Sequence, residues 1–127
     1  MADPAVIVEK DGHVLTVTLN RPEKRNAVNS EVMCRLYDAW TSLDQDDDLR
    51  VAILTGKGTT FCAGMDLSEI GKLGSGKPEN EWMERVMKDS AIIYGAWLKT
   101  YRPTKPVILA AEGFARAGGT EILQGTD

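Results

Sequence analysis

The apolar positions along this chain change period several times, and each change marks an element. Val6-Ile7-Val8-Glu9-Lys10 is a short strand candidate, and Asp11-Gly12 behind it is a hairpin turn signal. His13 to Leu19 then alternates. Leu15, Val17 and Leu19 make its apolar face, with His13 at the edge, and Val14, Thr16 and Thr18 make the other. Pro22 cannot extend a ladder, so Asn20 to Ala27 is read as loop. Ser30 is the expected N-cap of a helix, without a capping box. From Glu31 the period is helical: Val32, Met33, Leu36, Ala39, Trp40 and Leu43 form one stripe. Cys34 falls off the centre of that stripe, and Arg35 and Asp38 mark the wet side.

Val51 to Leu54 is an apolar run ending at Thr55-Gly56, which predicts a buried strand. Lys57 to Thr60 reads as loop. Phe61-Cys62-Ala63-Gly64-Met65-Asp66-Leu67 is a glycine-bearing junction, with a helical turn starting near Asp66 and running from Ser68 to Leu73. The glycine-rich stretch Gly71 to Pro78 suits a lid or a plain connector. Asn80 to Tyr101 reads as one longer helix ended by Pro103, its stripe carried by Trp82, Val86, Ala91 or Ile93, Trp97 and Leu98. Pro106 to Ala111 is a second buried strand, and Gly113 to Gly119 is a second glycine junction. The order is hairpin, helix, strand, helix, strand, helix. That predicts an α/β fold with the two apolar strands parallel.

Composition narrows the function classes. The 127 residues suit one domain, 43% of them are hydrophobic and 27% charged, and the net charge is -4. No basic face emerges, which disfavours nucleic-acid binding. The run Asp44 to Asp48 carries four acidic residues but lacks the glycine and closing glutamate of a calcium loop. Two distant cysteines, Cys34 and Cys62, and a lone His13 make no zinc pattern, so no metal is expected. Reduced, partly buried thiols fit a cytoplasmic setting. Met1-Ala2-Asp3-Pro4 has neither a basic start nor an apolar core, so no signal peptide is expected, and no run reaches the length of a membrane span. Lys57-Gly58-Thr59-Thr60 is not a P-loop.

The candidate chemistry lies where the two apolar strands end. If they are neighbours, both glycine junctions emerge at one edge of the sheet, where α/β proteins place ligands. Free backbone N–H groups at the two helix starts then converge on one oxygen. Glu121 follows Gly118 by three residues, within the first turn of the next helix, a suitable place for a general acid or base. A carboxylate that only stabilises a helix N-terminus is the plainer alternative. Lys24 and Arg25 make the Asn20–Ala27 loop either a solvated turn or a phosphate contact.

These residues resemble the N-terminal part of the crotonase, or enoyl-CoA hydratase/isomerase, family. The matching pieces are Asn20-Arg21-Pro22-Glu23-Lys24-Arg25-Asn26-Ala27, Asp46 through Gly56, Phe61 through Leu67, Lys105-Pro106-Val107, and Gly113-Phe114-Ala115 through Gly118-Gly119-Thr120-Glu121. Their order and spacing match over nearly the whole chain. The resemblance implies a spiral of ββα units, with residues 1–127 forming an acyl-CoA-binding core that lacks the C-terminal helices. It implies that Met65 and Gly118 supply the two backbone N–H groups that hold a thioester oxygen, and that Glu121 handles water and protons. It places Ala63, Asp66, Leu67 and Ser68 along the coenzyme A path, and Arg25 with Ala27 near the nucleotide portion. No cofactor is implied, the coenzyme A thioester being the substrate. A homo-oligomer, trimer or hexamer, is implied for the full-length form, with no nucleic-acid or membrane partner.

The implied reaction is hydration of 2-enoyl-CoA thioesters. An isomerase, another lyase of the family, or a non-catalytic acyl-CoA-binding or assembly segment are the alternatives. Three departures qualify the likeness. The second glutamate of the hydratases falls beyond Asp127, Ala117 stands where many members have a third glycine, and Arg116 puts a charge where small or apolar residues are common.

Overall fold

Three strand–strand–helix units follow one another in the computed structural model, which describes residues 3–127. Met1 and Ala2, where the signal-peptide reading begins, lie outside the described residues. The first unit is β1 (Val6–Asp11), β2 (Val14–Leu19) and α1 (Ser30–Gln45). The second is β3 (Val51–Gly56), β4 (Thr60–Cys62) and α2 (Leu67–Gly74), followed by α3 (Glu81–Lys88) and α4 (Ala91–Ala96). The third is β5 (Val107–Ala110), β6 (Phe114–Ala115) and α5 (Gly118–Glu121), continued by a 3-10 turn over Ile122–Gly125.

The main sheet has the order β1-β2-β3-β5. β1 and β2 are the expected antiparallel hairpin. β3 pairs parallel with β2 on one side and with β5 on the other, Leu54 opposite Leu109. The two apolar strands are thus parallel neighbours. Alternation along β2 buries Leu15, Val17 and Leu19, as its pattern predicts. α1 covers this face with its whole stripe: Val32, Met33, Leu36, Ala39, Trp40 and Leu43 are all buried. The indole N–H of Trp40 donates to the Ala96 carbonyl at 3.0 Å, tying α1 to α4.

Four readings need correction. β4 and β6, read above as loop and junction, pair as a second, two-stranded parallel sheet, Thr60 opposite Phe114. Three and two residues are too few to display a period. Asn29, not Ser30, caps α1, its side chain accepting from Val32 N–H at 3.0 Å. Ser30 is buried one position on, where its N–H and hydroxyl both donate to Glu69 of α2. The long helix over 80–101 is two helices. Asp89 ends α3 in extended backbone, and its side chain accepts from Ala91 N–H at the start of α4. The break shifts the register, so Ile92 is buried rather than Ala91 or Ile93. Cys34, placed off the stripe, is fully buried because α3 closes over it, its thiol facing the Trp82 carbonyl.

The acidic run is a helix-terminal anchor. Asp44 accepts from Tyr101 O–H, Thr104 N–H and Thr104 O–H. Burial pushes its carboxyl up, but these hydrogen bonds outweigh it and hold the group below the usual range. Lys105 donates to the Leu43 and Asp46 carbonyls at the end of α1. His13 is structural, its ring Nδ1 lying 2.6 Å from the Asp48 carbonyl.

Candidate active site

The second sheet brings the two glycine junctions together. β4 and β6 run side by side, and Arg116 N–H donates to the Cys62 carbonyl at 2.9 Å. Each strand then turns into a helix, so both turns leave the same end of the ladder. Gly64 has φ 100, a state that favours glycine. A Cβ built on it would lie 3.0 Å from Ala117 Cβ and 3.3 Å from Gly118 N, so the two turns are in direct contact. A Cβ on Gly119 would fall 2.3 Å from the Cys62 carbonyl oxygen, which closes the ladder to any larger residue.

The hydrogen bonds around the junctions leave several donors over. Gly64 N–H faces Cys62 Sγ, Ala63 N–H donates to Arg25 O, and Asp66 N–H donates to Val28 O. Gly119, Thr120 and Glu121 N–H groups donate to Arg116 or Ala117 carbonyls. Met65 N–H and Gly118 N–H, like those of Leu67 and Ala117 beside them, donate to no group among the described residues. Both residues line one cavity of about 820 Å3. Glu121 lines it too, its Oε2 lying 2.5 Å from Lys99 Nζ.

Of the other residues singled out in the sequence, Ala27, Ala63, Asp66, Leu67 and Ser68 also line this cavity. Leu67, 82% exposed, and Ile70 of α2 face it from one side, and Ile93, Tyr94 and Trp97 from α4 and its end on the other. The wall is therefore apolar around a few polar groups, the usual make-up of a small-molecule site. Arg25 is the exception. It lines a separate hollow of about 420 Å3 with Thr59, Thr60, Phe114 and Arg116, while Lys24 is the loop cation at the main cavity.

Asp66 is held by the protein itself. It caps α2 by accepting from Ser68 N–H and Ser68 O–H, and it pairs with Arg21 at 3.1 Å, both side chains 15% exposed. The Ser68 hydroxyl, against the cost of burial and with help from Arg21, holds its carboxyl below the usual range. Arg21 also donates to the Ala27 carbonyl, so this pair ties the Asn20–Ala27 loop to the first junction. Burial pushes the Cys34 thiol up to about 11 and raises that of Cys62, so neither is a thiolate nucleophile at neutral pH.

Sequence reasoning missed three residues here. Asn26 is buried at φ 55, and its amide donates to the Lys57 and Thr60 carbonyls while accepting from Arg21 N–H. An Asn, a residue type that tolerates the left-handed region, inside a charged loop is its only sequence signal. Arg21 was overshadowed by its cationic neighbours. Lys99 had no signal, because its approach to Glu121 is set by a turn 22 residues upstream in the chain.

Among the described residues no helix is long and apolar enough to cross a membrane. Residues 9–127 match the family model described as enoyl-CoA hydratase/isomerase. The chain is 50% identical, over a 129-residue alignment, to enoyl-CoA hydratase EchA19 of Mycobacterium tuberculosis, covering 98% of this chain and 45% of that protein. It superposes on the crystal structure of an enoyl-CoA hydratase from Mycobacterium tuberculosis with a TM-score of 0.79 and 41% identity, over 98% of this chain and 44% of the other. A carnitinyl-CoA hydratase from Mycobacterium avium gives 0.81 at 30% identity, over 99% and 45%. The chain thus spans somewhat under half the length of the curated relatives it matches.

Proposed function

Because this chain belongs to the enoyl-CoA hydratase/isomerase family, we propose that it serves hydration of 2-enoyl-CoA thioesters, its two junctions holding the thioester and Glu121 handling the proton. The observation that carries this reading is the pair of unbonded N–H groups, Met65 and Gly118, on the same cavity as a carboxylate. Water adding to the β-carbon of an enoyl thioester drives charge onto the thioester oxygen, giving an enolate. Two backbone donors aimed at that oxygen stabilise the charge, each by roughly 3 kcal/mol. Glu121 takes the proton from the attacking water, and a proton returned to the α-carbon completes the addition. The apolar walls from α2 and α4 suit the acyl group, and Lys24 at the rim suits a phosphate of the coenzyme.

An isomerase, or another lyase of the family, is the second reading. Asp66 is held by Arg21 and Ser68, so Glu121 is the cavity carboxylate assigned the proton transfer in either reaction. Isomerisation removes a proton and returns one two carbons away. Supplying the full-length protein with crotonyl-CoA and, separately, with a 3-enoyl-CoA separates the two. Hydration consumes the first, and isomerisation converts the second to the conjugated thioester. Glu121→Gln is expected to lower kcat by about 10²–10⁴-fold in either case. An unchanged rate in that variant removes Glu121 from the mechanism.

A further inference from the structure

The chain turns sharply where α4 ends. Leu98 is buried, yet it takes φ 59, a left-handed state costly for a residue with a side chain. Its N–H donates to the Gly95 carbonyl, and the next N–H, from Lys99, donates to Tyr94. The turn also requires Gly125, where an added Cβ would fall 2.5 Å from Leu98 Cβ. The turn seats Leu98 in the core and leaves Lys99, the next residue, beside Glu121. Its ammonium lies 2.5 Å from Glu121 Oε2 and 5.8 Å from the centroid of the Tyr94 ring. Glu121 Oε1 meets no partner of this kind among the described residues. Both side chains are about half exposed, at 41% and 52%, and such pairs add little to stability. The cost of the turn is thus not offset by the ion pair as a fold contact.

We propose that Lys99 is a positioning residue for Glu121, clamping one carboxylate oxygen so that the other faces the acyl group on the Met65–Gly118 donors. This rests on the role given to Glu121 above. A glutamate side chain has three rotatable bonds, and its reach from a four-residue helix leaves it free to swing toward solvent. The ammonium, itself oriented by the Tyr94 ring, selects the rotamer that stays at the cavity. Small misplacements of a proton-transfer group are costly, because the rate depends on a narrow range of approach.

The test uses the full-length protein with crotonyl-CoA and the variants Glu121→Gln, Lys99→Met and Lys99→Arg. Lys99→Met is expected to lower kcat about ten- to hundredfold with KM nearly unchanged, and Lys99→Arg to recover most of the loss. Lys99→Gln is the second variant should methionine disturb folding, with thermal unfolding as the check. If Glu121→Gln leaves turnover intact, the reading of Glu121 fails and this inference falls with it. If Glu121→Gln impairs turnover while Lys99→Met does not, this inference alone fails. A raised KM at constant kcat also overturns it, by making Lys99 a substrate contact instead.

Discussion

Ala117 sits at φ 47 and ψ -121, a state open to glycine and strained for alanine by roughly 1–3 kcal/mol. The strain lies at the bend that presents Gly118 N–H to the cavity. Ala117→Gly relieves it but loosens the unfolded chain by about 0.4–1 kcal/mol. The expected net gain is about 1 kcal/mol, read as a higher urea midpoint at unchanged slope. Asn26 gives the opposite outcome. Asn26→Ala removes three hydrogen bonds and strands the Lys57 and Thr60 carbonyls, so a loss of about 2–4 kcal/mol is expected in the same assay. These two residues mark the limits of reading single positions. Ala117 stood out as a departure from a glycine pattern, but its dihedral angles were not readable. Asn26 was one letter in a loop, and its burial depends on β3 and β4 wrapping around it.

Between elements, the Arg21–Asp66 pair fastens the loop after β2 to the cap of α2. The Asp66 carboxyl is held below its ordinary value by Ser68 first and Arg21 after it. A carboxyl lowered in the folded state adds stability above its unfolded pKa, about 4, and the gain disappears as pH falls through the lower folded value. Wild type is therefore expected to exceed Asp66→Asn in urea midpoint at pH 7, with the gap closing as the pH drops below about 4. The helices themselves were unevenly legible. The stripe of α1 spans sixteen residues and reads cleanly, because four turns repeat one period. The α3–α4 break did not, since apolar residues continue on both sides of Asp89 and only its backbone angles separate the helices. β4 and β6 were hidden because their pairing joins residues more than fifty positions apart.

At the level of the molecule, α1 and α4 clasp each other over the main sheet, and Trp40 is their shared bolt. Trp40→Phe leaves the Ala96 carbonyl buried without its donor and opens space beside it. A loss of about 2–3 kcal/mol is expected, measured by thermal or urea unfolding with the indole signal removed from the comparison. The parallel β3–β5 neighbourhood was legible, because two continuous apolar runs separated by helical segments admit few arrangements. It followed that both junctions leave one edge of the sheet. What the letters did not carry was the contact between the junctions, which depends on the short second sheet and on Gly64 and Gly119 having no side chain.

Met65 and Gly118 have one more consequence. An amide hydrogen held in a ladder must wait for that ladder to open before solvent deuterium can replace it, and these two have no such bond to break. In a deuterium-labelling experiment they should exchange early, ahead of the hydrogen-bonded amides of Ala63, Asp66, Gly119 and Thr120 beside them. An acyl thioester that seats its carbonyl between them should slow both together, making the pair an isotopic meter of occupancy that needs no turnover.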